Sequence, residues 1–396
     1  RHSSMSNQPS DIHTRLSELI AGMEPDLIQY RRHLHQHPEL GYQEQNTARY
    51  LTELLRSFGL TPRRVAGTGL LVDIGEAPAR IGFRADMDAL PIREETGLPY
   101  ASQNSGVMHA CGHDVHMAVA LGVARALVAL REHLTHGVRL LFQPAEELMP
   151  GGAADMIRDG AIEGLEAIYA LHVEPTLPAG TVGLKYGPFL ASVDTFDIEL
   201  RGKMGHAGYP HRAVDPVPAA AELVLALQTL VARKTDPVSP AVFSITQLQA
   251  GEAKNIIPAK VHLGGTYRCL DAAVREQIPH WLEDMLAGIC RAHGLEYKLS
   301  FEHGSPVLVN DEHCTRKLEQ VCRQVLGDDR VVILQEPRLG AEDFSFYLEH
   351  IPGTLMRLGV QTDPAQTVPL HSPRFAPDER AMAVGAQVMT ALMLDF

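Results

Sequence analysis

The sequence has no internal repeat of fixed period, no low-complexity tract and no apolar run long enough to span a bilayer. Its longest apolar stretch, Met117–Leu130, is short and is interrupted by Arg125. A repeat array and a membrane-spanning helix are thereby excluded as readings. The N-terminus also lacks the basic, apolar, small-residue order of an export signal, and Arg1–Ser4, ahead of Met5, are set aside from the fold reading. Cysteine is scarce: Cys111, Cys269, Cys290, Cys314 and Cys322 are odd in number and irregularly spaced. Without an export signal they read as reduced thiols, which predicts a cytoplasmic protein. Positive charge is short as well, with 35 Lys and Arg against 48 Asp and Glu and a net charge of −13. That balance argues against a nucleic-acid surface and against an anionic membrane as partner.

What is present suits a soluble enzyme. The 396 residues exceed what one hydrophobic core usually serves, so two domains are expected. Helical spacing runs over Ile12–His37 and Glu44–Phe58, and Val115–Arg131 reads as an apolar helix. Between them, Leu70–Ile74, Arg80–Ala85, Val138–Gln143 and Ala167–His172 have strand length. Such alternation predicts an α/β layer fold with a largely parallel sheet. The segment Leu190–Ser300 reads instead as strand 192–200, helix 215–233, strands 241–249 and 260–270, helix 272–293 and strand 295–301. That βαββαβ order is ferredoxin-like. Helices resume near 312–326, 342–349 and 377–394. The expected architecture is a discontinuous α/β domain, residues 11–189 and 303–396, with an inserted α+β domain over 190–302.

The densest chemistry lies in Met108–His116, where Cys111 and His113 flank Gly112 among His109, Asp114 and His116. A thiolate and an imidazole at this spacing suit a borderline divalent ion such as Zn²⁺, Mn²⁺, Co²⁺ or Ni²⁺. The dipole of the helix that follows favours Cys111 as thiolate. Alone, the same residues read as a buried structural cysteine beside surface histidines. A second motif, Phe142–Glu147, ends a strand in paired carboxylates. One glutamate can ligate a cation while its neighbour moves a proton, the division that amide hydrolysis needs; the plain alternative is a solvated acidic loop. His172 closes the run Ala167–Leu171, and His371 sits between Pro369 and Pro373. With Cys111, His113 and Glu147 they make five ligands, enough for two cations sharing one bridge. Asp86 and Asp88 follow a strand and can orient ligand histidines, or serve as turn residues. In the inserted segment His206, Asn255 and Arg268 are donors able to hold a carbonyl oxygen or a carboxylate, or ordinary loop and surface residues.

Taken in order, Met108–His116, Phe142–Glu147, Leu171–Val173, Gly205–Ala207, Gly340–Phe344 and Leu370–Phe375 resemble the hippurate hydrolase and N-acyl-amino-acid amidohydrolase branch of the aminoacylase/carboxypeptidase metallopeptidases. Plant auxin–amino acid conjugate hydrolases look similar. The resemblance runs from about Leu27 to Leu394 without large gaps. It implies a metal-dependent amidohydrolase holding two divalent ions per chain through Cys111, His113, Glu147, His172 and His371. Glu146 is then the general base and proton shuttle, and Asp88 the aspartate that relatives place beside the metals. The inserted domain becomes a dimerisation domain, with His206 reaching the neighbouring subunit's site to polarise the scissile carbonyl. Asn255 and Arg268 correspond to positions associated with the substrate carboxylate. The chain departs from the pattern in three places: Leu148-Met149-Pro150 after the double glutamate, Met204, and Cys269. They leave the proposed ligands intact and bear on acyl-chain preference. The rival readings are a dipeptidase or carboxypeptidase with the same metals, and a metal-dependent binding protein without turnover. The second has no use for Glu146.

Overall fold

The computed structural model describes residues 9–396, so Arg1–Ser4 lie outside the described residues. The chain separates into two compact units. The first comprises the chain up to Gly187 together with Val309–Glu336 and Phe346–Phe396; the second comprises Pro188–Leu308 and Pro337–Ser345. Sequence patterning had kept residues 303–396 together. Instead Pro337–Ser345 joins the second unit, where the Gly340 and Phe189 carbonyls accept the amides of Ala191 and Arg338 at 3.1 and 2.7 Å.

The first unit is built on an eight-stranded sheet. Its order is Arg63–Val65, Gly69–Ile74, Gly137–Gln143, Ala79–Asp86, Ala167–Pro178, Gly353–Gln361, Val182–Leu184 and Val331–Ile333. The sheet is mixed rather than largely parallel. Its middle, from Gly137–Gln143 to Gly353–Gln361, runs parallel; the pairs on either side of that block are antiparallel, and the last strand, Val331–Ile333, is parallel to Val182–Leu184. Gly353–Gln361 carries no strand assignment from sequence, yet it lies centrally and is buried along nearly its whole length. A strand covered on both faces loses the alternation that marks half-buried strands.

Helices cover the sheet where their apolar positions recur. Gln45–Ser57 buries Thr47, Ala48, Leu51 and Leu55, one stripe at helical spacing. His113–Ala129 is apolar on all sides and is packed between Pro9–Gln36 and Ala381–Leu394. No helix among the described residues is long and apolar enough to cross a membrane.

The second unit has a four-stranded antiparallel sheet, ordered Ala241–Ala250, Lys260–Cys269, Ser192–Arg201, Glu296–His303. Its first strand buries Phe196, Ile198 and Leu200 while Asp197 and Glu199 point the other way, the period of two that sequence carried. Helices Pro216–Leu227 and Ala272–His293 pack on that apolar face. Both start on aspartate caps, Asp215 accepting from Val217 and Asp271 from Ala273 and Val274.

Candidate metal centre

The site is assembled at one end of the first unit's sheet. Gly112 caps the helix His113–Ala129 in the left-handed region, φ 78°. A Cβ there would stand 2.3 Å from Val173 Cγ2, so only glycine lets the helix start so close to the neighbouring strand. That approach sets Cys111 and His113 beside His172, with Cys111 Sγ 3.4 Å from His172 Nε2. His172 lies inside the strand Ala167–Pro178 rather than at its end, two residues beyond Ala170, the last to pair with the adjacent Ala79–Asp86. His172 Nδ1 donates to the Val173 carbonyl at 2.8 Å, which leaves the Nε2 lone pair facing Cys111. Burial, with His116 and Arg357 nearby, holds the His172 ring well below the usual imidazole range, so it stays neutral.

The loop after Gly137–Gln143 supplies both glutamates. Asp88 Oδ1 accepts the Glu146 amide at 3.0 Å and Oδ2 the Glu147 amide at 2.9 Å. Glu147 Oε1 is 3.6 Å from His113 Nε2 and 3.5 Å from His371 Nε2; Glu146 Oε2 is 3.8 Å from His113 Nε2. His371 adopts φ 67° and donates its amide to the Ala110 carbonyl at 2.8 Å, which ties its loop to the Cys111 segment. Glu44, which has no role in the sequence reading, accepts the Ala145 amide at 2.9 Å.

Asp86 accounts for His116. The Val173 amide donates to His116 Nε2 at 3.0 Å, so Nδ1 carries the hydrogen given to Asp86. Asp86 also lies 3.2 Å from His113 Nε2 and 3.3 Å from Arg84. Sequence left Asp86 between an orienting role and a turn residue; the buried contacts make it an orienting partner. Its signal was the spacing with Asp88 after one strand. Behind the helix start, Asp114 accepts from Arg31 at 2.8 Å and lies 2.9 Å from His35 Nδ1. Burial alone would raise the Asp114 carboxyl, but Arg31 and His35 outweigh it and hold it well below the usual range.

Two donor triplets stand out, Cys111–His113–His172 and Cys111–Glu147–His371, each with its ligand atoms within 4.8 Å of one another. Cys111 belongs to both. The polar atoms left over tell whether divalent cations suit the place. Both ring nitrogens of His113 and Glu147 Oε1 are buried without a hydrogen bond. Burial works against charge on His113, yet Asp86, Asp88 and Glu147 prevail and push it up to about 10. A field that would keep a proton there equally favours a metal ion, and a cation satisfies the orphaned atoms. The residues fit. The dipole argument for Cys111 needs correction: burial, then Glu147 and Glu146, push its thiol up, so without a cation it keeps its proton. Metal must displace that proton.

The second unit holds the other three candidates. His206 is exposed and pairs with Ile256 in a short two-stranded ladder. The Asn255 carbonyl accepts the Ala207 amide at 3.0 Å, so His206 and Asn255 lie together. Arg268 stands apart on Lys260–Cys269 and donates to the Leu339 carbonyl at 3.0 Å.

The chain is similar to several known proteins. N-acetyl-L-cysteine deacetylase of Bacillus subtilis (strain 168) is 41% identical over 367 residues, 92% of this chain and 86% of that protein. N-acyl-L-amino acid amidohydrolase of Geobacillus stearothermophilus is 43% identical over 301 residues, 75% of this chain and 81% of that one. The crystal structure of a dinuclear metal-binding M20 peptidase from Bacillus subtilis superposes with a TM-score of 0.83 at 34% identity, covering 95% of this chain and 98% of that one. Residues 82–395, a span that contains Cys111, His113, Glu147, His172 and His371, match the sequence pattern of peptidase family M20/M25/M40, and the chain belongs to this family.

Proposed function

We propose that the protein is a metal-dependent amidohydrolase that cleaves N-acyl amino acids to a carboxylic acid and a free amino acid. The observation that carries this reading is the pair of donor triplets sharing Cys111, with Glu146 grouped beside His113 and Glu147 but in neither triplet. The relatives named for N-acyl amino acid hydrolysis support the substrate class. Two divalent cations, of Zn²⁺, Mn²⁺, Co²⁺ or Ni²⁺, would be held by Cys111, His113, Glu147, His172 and His371 and would supply Lewis acidity to a water and to the acyl carbonyl. Glu146 takes the proton of the attacking water and delivers it to the leaving nitrogen. Asp88 fixes both glutamates through their amides, and Asp86 fixes His116. His206, Asn255 and Arg268 are proposed to serve substrate, His206 as donor to the developing oxyanion and the other two at its carboxylate. A homodimer, each copy lending His206 to the other, completes the reading. Five unpaired, buried cysteines support a reducing compartment such as the cytoplasm.

The test is a panel of N-acetyl, N-benzoyl and longer N-acyl amino acids beside matching dipeptides. Protein stripped of metal and reloaded with each of the four ions is used. Hydrolysis of the acylated compounds well above the dipeptides is expected, and faster turnover of dipeptides would favour the peptidase reading. Equal rates in fully chelated and reloaded protein would refute a metal mechanism altogether.

A further inference from the structure

Glu44 is fully buried, and its two carboxylate oxygens are committed to different parts of the fold. Oε1 accepts the Thr68 hydroxyl at 3.0 Å, just ahead of the strand Gly69–Ile74. Oε2 accepts the Ala145 amide at 2.9 Å. Asp88 takes the next two amides, those of Glu146 and Glu147. Three successive backbone N–H groups therefore end on two buried carboxylates.

Ala145 has φ 55°, the left-handed region that disfavours any residue with a side chain. Something must hold it there, because relaxation to an ordinary conformation would turn Glu146 and Glu147 away from His113. A helix-capping duty does not explain Glu44. It sits at the start of Gln45–Ser57, but its side chain makes no cap hydrogen bond to that helix. Nor is the arrangement cheap: burial, and then the neighbouring Asp88, push the Glu44 carboxyl up to about 7. A carboxyl buried at such cost, with one oxygen given to the Ala145 amide in its left-handed turn, suggests a task at that amide.

We propose that Glu44 is a positioning residue of the hydrolytic reaction, latching the Ala145 amide so that Glu146 and Glu147 leave the backbone in the directions the site needs. The inference rests on the roles given above to those two glutamates. Displacements near 1 Å at reacting groups can cost about 100-fold in rate. Glutamine can keep the latch, since its carbonyl oxygen still accepts from Ala145 while its amide nitrogen faces a hydroxyl able to accept. Alanine cannot.

Hydrogen exchange in metal-free protein reads the latch without reference to turnover. In Glu44→Ala the amides of Ala145–Glu147 should exchange at least about 10-fold faster than in the wild type, and in Glu44→Gln within about 3-fold. After reloading with Co²⁺, Glu44→Ala should lose roughly 30- to 100-fold in kcat per metal-loaded site, with KM within about 3-fold, while Glu44→Gln keeps most of its kcat. If Glu44→Ala does not fold, Glu44→Asp, one methylene short of Ala145, carries the same comparison. Wild-type exchange and kcat in the alanine or aspartate variant would overturn the inference. So would a glutamine variant as impaired as the alanine one. Should the wild type hydrolyse no N-acyl amino acid, the functional reading fails, and exchange in the metal-free protein still decides the latch.

Discussion

Glu146 and Glu147 are adjacent in sequence and differ in company. Glu147 lies against His113 and His371 and shares a triplet with Cys111, whereas Glu146 Oε2 stands 3.8 Å from His113 Nε2 and shares a group with His113 and Glu147 but not with Cys111. Burial works to raise the Glu147 carboxyl, but His371 and His113 outweigh it and hold it low, as a ligand requires. Glu146→Gln should therefore keep near-normal metal content while kcat falls by about 100-fold or more, because an amide cannot take a proton. Glu147→Gln should chiefly lose metal, and so should Cys111→Ala, which removes the ligand common to both triplets. Metal analysis beside steady-state kinetics checks this, and exchanged phenotypes for the two glutamates would reverse their roles. Glu44 gives a pH-dependent prediction. Its folded value of about 7 exceeds the ordinary 4.5, so the folded chain holds the proton more tightly than the unfolded one. The stability this contributes is fully present below the unfolded value and is lost as pH rises through about 7. Glutamine has no proton to lose. Glu44→Gln should thus gain on the wild type by about 2–3 kcal/mol between about pH 5 and pH 8. Urea midpoints of chelator-treated protein provide the measurement, and a stability of variant minus wild type that stays level or falls from about pH 5 to about pH 8 contradicts it.

At the scale of elements, the approach of helix His113–Ala129 to strand Ala167–Pro178 fixes the site. Gly112→Ala places a methyl 2.3 Å from Val173 Cγ2 at a φ of 78°, so strand and helix must part. A loss of about 1–3 kcal/mol is expected from the overpacking, and the metal-binding defect should exceed what unfolding explains. Thermal denaturation with metal titration separates the two; an unchanged metal affinity would show that this approach does not set Cys111 and His113. The same elements show how far sequence reaches. Gln45–Ser57 and Ser192–Arg201 each bury one face, and Ala272–His293 lies between Asp271 and Gly294, so period and caps announce them. Gly353–Gln361 is covered on both faces and contains Arg357, so neither period nor composition marks it. The candidate site was legible because Cys111 and His113, and Glu146 and Glu147, sit in dense local motifs. Glu44 reaches Ala145 across 101 residues of chain, a contact that only folding creates.

At the scale of the molecule, the proposed ligands all lie in the first unit and His206 lies in the second. The second unit's sheet ends in Ala241–Ala250 on one side, exposed over its last five residues, and in Glu296–His303 on the other, exposed at alternate residues. Open edges of this kind pair readily across a two-fold axis, and a two-fold dimer would bring an exposed residue of one copy to a site of the other. If His206 serves the partner's site, His206→Ala and Glu146→Gln homodimers should each be nearly inactive. Mixed by co-expression, they form heterodimers in which one site combines Glu146 of its own chain with His206 of the other, while the second site lacks both. Random assortment makes about half the dimers mixed, each with one complete site, so about a quarter of wild-type activity should return. Service within one chain predicts no recovery, because every site would then lack either Glu146 or His206. Activity per dimer, measured after sizing confirms the assembly and mass analysis confirms exchange, distinguishes the two. Recovery near a quarter supports a shared site; mixtures as inactive as their parents remove it and leave the metal ligands and Glu146 untouched.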